Sequence, residues 1–305
     1  MTKPFSHDDV PDMTGKVCIV TGANTGIGRA CATVLAKKGA HVIFACRTAE
    51  KTEPVIAEIK ASTGNTNVEF IALNLLSLSS VTSFIETFKA RNLPLHLLLN
   101  NAGVMAPPFS LSADGIESQF ATNHIGHFYL TTQLLPILEA SAPSRIVQVS
   151  SDAHVFTFGG LNLQSLNDPK KYNGWTAYGR SKLANILFAR ELTKKLGAKG
   201  VKNIYVNSNN PGAVSSDLQR YATYVNILKY FVTFVNTDEG ALTQMYLATS
   251  PEVEEKDIRG QYYVPIAKPG TPSKYALNDK LAEELWEWTE NTLKEKVPGY
   301  PGSPI

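Results

Sequence analysis

The sequence predicts a doubly wound α/β fold in which helices flank a seven-stranded parallel sheet. Three observations predict it: short β-branched runs alternate with longer helical patterns, the short runs are apolar almost throughout, and no linker or repeat interrupts the 305 residues. Strands that are apolar at nearly every position are typical of parallel sheets covered on both faces. Their alternation with helices indicates the βαβ units of such a sheet.

Each strand is predicted from a short apolar run, and each helix from apolar residues at helical spacing. The strands are "KVCIV" (16–20), "HVIFAC" (41–46), "VEFIAL" (68–73), "LHLLL" (95–99), "RIVQVS" (145–150), "NIYVNS" (203–208) and "QYYVPI" (261–266). The helices are 27–38, 54–62, 78–91, 115–140, 176–197, 238–249 and 279–293. We expect one domain over residues 1–305, with an extended tail from about residue 297, because "VPGYPGSPI" is too rich in proline and glycine to continue a helix.

Composition narrows the class of protein. The chain is 43% hydrophobic and 18% charged, which is ordinary for a globular domain. A net charge of +2 without a basic run gives no sign of nucleic-acid binding. The three cysteines, Cys18, Cys31 and Cys46, lie in apolar segments, which favours reduced, buried thiols in a cytoplasmic protein. Residues 1–15 are polar and lack the apolar stretch of a signal peptide or membrane anchor.

A glycine-rich turn follows the first strand. In "TGANTGIGRA" (21–30), Gly22, Gly26 and Gly28 stand between a strand and a helix. Glycines let the backbone approach a pyrophosphate, while the helix N-terminus supplies N–H donors. The alternative is a glycine turn without a ligand, but the placement inside a βαβ unit favours a Rossmann-type dinucleotide site.

The end of the second strand indicates which dinucleotide is bound. Sites for NAD usually place a carboxylate there to accept hydrogen bonds from the ribose. This strand ends "FACR", with Cys46 at that position and Arg47 after it. A guanidinium can bind a 2′-phosphate, so the sequence predicts NADP, with a surface arginine as the alternative.

Five motifs in this order resemble the short-chain dehydrogenase/reductase family over roughly residues 15–270. They are "TGANTGIG", "NNAG" (100–103), "VSS" (149–151), "YGRSK" (178–182) and "NPGAV" (210–214). The segments "ACR", "NHIGHF" and "YGRSKLANILFARELTKKL" look most like its retinol dehydrogenase-like and WW-domain oxidoreductase-like branch. The resemblance implies an NADP-dependent oxidoreductase that transfers a hydride between the cofactor and a lipophilic or aromatic carbonyl or alcohol.

The resemblance also assigns residues to roles. The catalytic residues it implies are Asn123, Ser151, Tyr178 and Lys182. The cofactor-binding residues it implies are Gly22, Asn24, Thr25, Gly26, Ile27, Gly28, Arg47, Asn74, Asn101, Ala102, Gly103, Tyr178, Lys182, Pro211, Gly212 and Val214. Asn74 departs from the family, which usually has an aspartate there; its amide oxygen can still accept a bond from the adenine amine. No metal is expected, and His124 and His127 are interpreted as packing or surface residues.

Tyr178 and Lys182 are one helical turn apart on one face. A free phenol has a pKa near 10, and a nearby ammonium would stabilise the phenolate and lower that pKa. Ser151, rather than Ser150, is expected to donate a hydrogen bond to the substrate oxygen, and the resemblance implies that Asn123 holds a water in a proton relay. Taken alone, Tyr-x-x-x-Lys is more often a surface pattern, and the combination with the other positions favours catalysis.

Two segments are expected on the substrate side. The connection between Ser151 and Tyr178 carries Phe156, Phe158, Leu161, Leu163 and Trp175, and residues 215–236 form the region that is a substrate lid in the family. Their apolar character predicts a lipophilic substrate. For 221–235 two alternatives stay open: packing in the core or at a subunit interface, and a peripheral membrane contact.

The resemblance implies a homodimer or homotetramer that assembles through the helices near 115–140 and 176–197. A regulatory protein that senses a dinucleotide without turnover is the alternative function, and the intact Tyr178 and Lys182 speak against it. A sugar epimerase or dehydratase of the extended family is a third candidate. The four-residue step from Gly22 to Gly26 disfavours it.

Overall fold

The computed structural model describes residues 3–157, 159–215 and 234–305. Most of the predicted lid and Phe158 therefore lie outside the described residues. The strands are β1 (Val17–Thr21), β2 (His41–Cys46), β3 (Val68–Ala72), β4 (Leu97–Asn100), β5 (Ser144–Val149), β6 (Ile204–Asn209), β7 (Tyr262–Val264) and β8 (Lys268–Pro269). They form one sheet in the order β3-β2-β1-β4-β5-β6-β7-β8.

The predicted doubly wound α/β class is confirmed, with one difference in strand number. Strands β1 to β7 are parallel, as predicted, and β8 pairs antiparallel with β7 through Tyr263 opposite Pro269 and Val264 opposite Lys268. A two-residue strand carries no periodicity, so the sequence could not indicate it.

The helices are α1 (Gly26–Lys37), α2 (Ala49–Thr63), α3 (Leu78–Ala90), α4 (Ser118–Phe120), α5 (Gly126–Ala140), α6 (Gly174–Ala198), α7 (Thr237–Thr249), α8 (Glu252–Glu255) and α9 (Asp279–Lys296). The segment predicted as one helix over 115–140 contains α4 and α5, joined by a π-helical turn at Ala121–Ile125. Such turns often occur at functional sites, and this one contains Asn123.

The core lies in two layers, one on each face of the sheet. Because successive strand residues point to opposite faces, Ile19, Leu98 and Ile146 pack with α3, α5, α6 and α9. Val20 and Leu99 pack with α1, α2 and α7 on the other face. The strands are thus covered on both sides, which is why their sequences are apolar throughout.

Helix α9 covers the surface of α5 and α6. The ring of Trp286 lies 4.8 Å from Phe128 of α5 and 5.9 Å from Phe188 of α6. The tail after α9 continues this cover, since Gln133 donates a hydrogen bond to the Gly302 carbonyl at 3.0 Å. These contacts cover part of the surface of α5 and α6, the two helices through which the resemblance implies assembly.

The state of the cysteines and the apolarity of the helices complete the description of the fold. Cys18, Cys31 and Cys46 are free and buried, and burial raises the pKa of the Cys18 and Cys31 thiols to about 12. Within the three described ranges, no helix combines the length and apolarity needed to cross a membrane.

Candidate active site

The predicted site residues meet at the carboxyl-terminal edge of the sheet. Gly22 follows β1, Asn101 follows β4, Ser151 closely follows β5, and Pro211 closely follows β6. β1 and β4 are neighbours in the sheet although they are not consecutive in the chain, so the strand order reverses between them. Open α/β sheets bind their ligands at such a reversal.

The glycine turn has the backbone geometry of a phosphate loop. Gly22 and Gly26 adopt φ angles of 67° and 56°, which favour glycine. A Cβ at Gly28 would lie 2.4 Å from the Gly22 carbonyl oxygen and 2.5 Å from Asn101 Nδ2. Only glycine at position 28 lets α1 begin this close to the turn. Thr25 precedes the helix with Ile27 in its first turn, so the N-terminal N–H groups of α1 face the strand edge.

The ends of β2 and β3 lie beside this turn. Cys46 is buried against it, and its thiol accepts from the backbone of Asn24, Ala23 and Gly22. Arg47 follows with an exposed side chain. Asn74 forms a local turn in which its Oδ1 accepts from Leu76 N–H at 3.2 Å; a carbonyl-type oxygen has a second lone pair for another donor.

Thr21 anchors the segment after β4 to β1. Its hydroxyl accepts the N–H groups of Asn101 and Ala102, both at 2.9 Å, and Asn101 Nδ2 donates to the Thr21 carbonyl at 3.0 Å. Gly103 comes next, where a Cβ would lie 3.2 Å from Asn123 Oδ1 and 3.6 Å from Lys182 Nζ. This part of the predicted cofactor site therefore also borders the predicted catalytic residues.

Tyr178 and Ser151 lie together, whereas Ser150 points elsewhere. The Tyr178 side chain is 4% exposed and is hydrogen-bonded to the Ser151 side chain. Ser151 Oγ also accepts from Ala153 N–H at 3.1 Å. Ser150 is buried and donates to the Lys182 carbonyl at 2.7 Å. The geometry supports the choice of Ser151 over Ser150.

Lys182 is buried below the phenol. Its Nζ lies 5.6 Å from the centre of the Tyr178 ring and donates to the Val149 carbonyl at 2.9 Å. Burial lowers the pKa of Lys182 to about 8. Burial also raises the pKa of Tyr178 to about 12, although the Ser151 hydrogen bond opposes that shift. The net shift of the Tyr178 pKa is upward, opposite to the lowering expected from the lysine charge, because desolvation of the phenolate is its largest cause.

The Asn123 side chain connects the segment after β4 with α6. Its Nδ2 donates to the Val104 carbonyl at 3.0 Å and to Ser181 Oγ at 2.9 Å, and its Oδ1 accepts from Val104 N–H at 2.9 Å. The side chain therefore fixes the segment after β4 to α6. The carbonyl of Asn123 lies 3.1 Å from His127 Nδ1.

His124 and His127 are both buried. His127 Nε2 lies 2.9 Å from the Thr21 hydroxyl, and His124 packs among aromatic rings with Nε2 3.2 Å from Thr289 Oγ1. Burial lowers the pKa of His124 to about 3 and of His127 to about 4, so both rings are neutral. In the described part of the chain, no group of three or more His, Cys, Asp or Glu side chains could hold a metal ion.

The segment after β6 passes the other side of the site. Gly212 adopts a φ of 86°, and its N–H donates to Asn210 Oδ1 at 3.0 Å. Val214 is buried, and a Cβ at Gly240 would lie 2.5 Å from its Cγ2. Pro211, Gly212 and Val214 therefore lie at the sheet edge that carries the other predicted site residues.

An apolar cluster surrounds the Tyr178 ring, and sequence reasoning only partly foresaw it. Met105 is buried against Tyr178, and Ala106, Ala153, Trp175 and Phe234 pack around them. Val155 and Phe156 follow Ser151 with exposed fractions of 51% and 53%. Trp175 and Phe234 lie in the segments that the sequence predicts on the substrate side, whereas Met105 is not predicted; its position two residues after Gly103 is the available signal.

Comparison with known proteins decides the family. The family model described as short chain dehydrogenase matches residues 16–224. The chain belongs to the short-chain dehydrogenase family. Short-chain dehydrogenase TIC 32 A, chloroplastic, from Brassica napus is 43% identical over 92% of this chain and 89% of that protein. Retinol dehydrogenase 12 from Homo sapiens is 42% identical over 90% and 85%.

Two further likenesses support the branch and the fold. The WW domain-containing oxidoreductase from Pongo abelii is 38% identical over 95% of this short-chain dehydrogenase and 71% of that protein. A crystal structure of an uncharacterised protein from Mycobacterium paratuberculosis superposes with a TM-score of 0.78 at 33% identity, over 96% of this chain and 98% of that one. The predicted resemblance is confirmed. The chain is accordingly an oxidoreductase of CH–OH and C=O groups that uses a nicotinamide cofactor.

Proposed function

We propose that this short-chain dehydrogenase is an NADP-dependent reductase of lipophilic or aromatic ketones and aldehydes, with Tyr178 as the proton donor. The observation that carries the proposal is the arrangement of Ser151, Tyr178 and Lys182 beside the glycine turn. The Tyr178 phenol is buried and hydrogen-bonded to Ser151, and the centre of its ring lies 5.6 Å from Lys182 Nζ. A chance Tyr-x-x-x-Lys pair on a helix surface would be exposed.

The protein's part in the reaction is positioning and proton transfer. When bound, NADPH supplies the hydride. Tyr178 Oη gives its proton to the oxygen of the carbonyl substrate as negative charge develops there. A pKa raised to about 12 keeps the phenol protonated at neutral pH, which is the state that reduction needs. Ser151 Oγ accepts from Ala153 N–H, which holds the hydroxyl beside the phenol, and its proton can turn from the Tyr178 oxygen to the same substrate oxygen when the carbonyl binds.

Lys182 and Asn123 support the donor. With a pKa of about 8, Lys182 is mostly protonated at pH 7, and its charge stabilises the phenolate that remains after proton transfer. The side-chain groups of Asn123 bind Val104 and Ser181. We propose that any relay water contacts the main-chain carbonyl of Asn123, which faces the His127 ring.

The residues of the cofactor site fit NADP. Gly22 and Gly26 supply the left-handed backbone of the turn, and Gly28 lets α1 begin close to Gly22, so the N-terminus of α1 is placed for the pyrophosphate. Cys46 at the end of β2 stands where a carboxylate for NAD would stand, and Arg47 directly after it presents an exposed guanidinium. Asn74 Oδ1 keeps one lone pair for the adenine amine.

The environment of Tyr178 favours an apolar substrate. Met105, Ala106, Trp175 and Phe234 place hydrophobic surface around the donor, and apolar walls with few polar groups select lipophilic ligands. The relative named retinol dehydrogenase 12 supports the same class. A retinoid, a long-chain aldehyde or an aromatic ketone matches these walls.

Cellular location and assembly are further parts of the proposal. Three reduced, buried cysteines favour a cytoplasmic protein. A homodimer or homotetramer would use a surface other than the one that α9 covers, and light scattering of the purified protein measures the assembly. Flotation with liposomes tests the peripheral membrane contact.

The deciding experiment is a screen of NADPH and NADH oxidation at 340 nm. The carbonyl panel contains all-trans-retinal, decanal, acetophenone, a steroid ketone and a quinone. We expect turnover with at least one member and a kcat/KM for NADPH at least tenfold above that for NADH. A preference for NADH would contradict the role of Arg47. NADPH binding without turnover would favour the dinucleotide-sensing protein.

A further inference from the structure

His154 bridges the catalytic serine and a distant segment of the chain. The residue is 2% exposed and lies in the 3₁₀ turn Asp152–Val155 directly after Ser151. Its ring Nδ1 is 2.7 Å from the Ser151 carbonyl oxygen, and its Nε2 is 3.0 Å from the backbone nitrogen of Ser273. Ser273 lies between β8 and α9, 119 residues further along the chain.

These two partners fix the protonation of the ring. The Ser151 carbonyl can only accept, so Nδ1 must carry a proton and donate it. Ser273 N–H can only donate, so Nε2 must be unprotonated and accept it. Only the neutral tautomer that carries its proton on Nδ1 can make both bonds.

The surroundings hold the turn in place from two sides. On one side, α6 approaches so closely that a Cβ at Gly179, the residue after Tyr178, would lie 2.6 Å from the Ala153 carbonyl oxygen. On the other side, the ring of Tyr262 lies 5.4 Å from His154, and its hydroxyl donates to Asp152 Oδ1 at 3.2 Å. The Ser151 carbonyl also accepts from His154 N–H at 3.1 Å.

We infer that His154 is a positioning residue that orients Ser151 toward Tyr178 through the Nδ1–H tautomer, which Ser273 fixes. This inference rests on the proposed reductase function. The bond that matters for turnover is the one to the Ser151 carbonyl, because it sets the orientation of the Ser151 backbone and hence of its hydroxyl. The hydrogen bond from Ser273 N–H selects the Nδ1–H tautomer, which is the form that can donate to the Ser151 carbonyl.

Asparagine and glutamine separate the two bonds. In His154→Asn the amide nitrogen reaches the position of Nδ1 and can donate to Ser151, while Ser273 loses its acceptor. In His154→Gln the amide oxygen reaches the position of Nε2 and can accept from Ser273, while Ser151 loses its donor. His154→Ala removes both. His96→Asn is the matched control, since this histidine accepts a backbone bond from Val17 before β4, at the opposite edge of the sheet.

Steady-state kinetics with NADPH and the best carbonyl of the panel measure the effect. We expect His154→Asn and His96→Asn to keep kcat within about threefold of wild type. His154→Gln and His154→Ala should lose at least tenfold in kcat, with the NADPH dissociation constant unchanged, because a misplaced catalytic group costs up to about 100-fold. Equal losses in His154→Asn and His154→Ala, or losses that follow the fall in melting temperature, would overturn the inference.

Two further measurements distinguish a residue that positions Ser151 from one that only stabilises the fold. In the reverse direction, the rate of alcohol oxidation rises with pH as Tyr178 ionises. The midpoint of this rise should move to higher pH in His154→Gln and His154→Ala only, because Ser151 no longer stabilises the phenolate in these two variants. ¹⁵N-histidine NMR of the wild type should show the Nδ1–H tautomer at the resonance that His154→Asn removes. An Nε2–H tautomer would overturn the inference. The Nδ1–H tautomer in a protein without turnover would support the geometry and count against the proposed function.

Discussion

Replacing Lys182 by methionine should make the protein more stable at neutral pH while impairing turnover. Burial lowers the pKa of this lysine from its ordinary 10.5 to about 8. At about 1.36 kcal/mol per pKa unit, carrying the buried charge costs about 3 kcal/mol of folding free energy at pH 7. Loss of the bond to the Val149 carbonyl costs about 1 kcal/mol. The Val149 carbonyl is not left unpaired, since Asn185 Nδ2 still donates to it at 3.1 Å. The net gain in the free energy of unfolding is therefore about 2 kcal/mol.

The pH dependence follows from the same shift. Below pH 8 the lysine is protonated in both the folded and the unfolded protein, so the full cost is present. Between pH 8 and 10.5 the folded protein releases a proton that the unfolded chain keeps, so wild-type stability rises with pH relative to the variant. The advantage of Lys182→Met should therefore be largest at pH 7 and shrink toward pH 10.

Urea unfolding at pH 7 and pH 10, followed by tryptophan fluorescence, measures both effects. Lys280→Met is the matched control, because the Lys280 side chain is 85% exposed, and it should change the unfolding free energy by less than about 0.5 kcal/mol at either pH. A Lys182→Met protein that is less stable than wild type at pH 7, or whose advantage does not fall with pH, would refute the reasoning.

Three other variants test the site. Gly28→Ala should weaken NADPH binding at least tenfold in fluorescence titrations, because its Cβ would lie 2.4 Å from a carbonyl of the turn; Gly197→Ala, with nothing within 4 Å, should bind normally. Arg47→Gln should weaken NADPH binding by about 10- to 100-fold, the value of charge-assisted bonds, and leave NADH binding unchanged, whereas Lys202→Gln should affect neither. Trp175→Ala should raise KM for retinal and leave the NADPH dissociation constant unchanged; a fall in kcat alone would contradict a role for Trp175 in substrate binding.

The sequence predicted much of the sheet and of its edge because these features depend on neighbours in the chain. A strand followed by Gly22 and a helix defines the turn wherever the rest of the chain goes. Ser151 and Asn101 likewise follow predicted strands, so their place at one edge follows from the parallel order. The helices that the sequence predicts lie within a few residues of their observed positions, except that α2 begins at Ala49 although Pro54 lies within it. The four-residue helix α8 is not predicted.

Features that depend on distant residues could not be predicted. The raised pKa of Tyr178 comes from burial, which no local pattern specifies. The partner of His154 is 119 residues away. The amphipathic pattern of α9 predicts a helix without saying that Trp286 covers Phe128. The π-helical turn around Asn123 is a shift in hydrogen bonding that leaves no period in the sequence.

The central claim is that Tyr178 gives the proton to the carbonyl oxygen. Tyr178→Phe removes only the hydroxyl and keeps the ring that packs against Met105, so the measurement is kcat of this variant beside its NADPH dissociation constant. We predict a fall in kcat of about 100- to 10,000-fold, the range for loss of a general acid, with NADPH affinity within about twofold of wild type. A variant that binds NADPH normally and keeps kcat within tenfold would contradict the account.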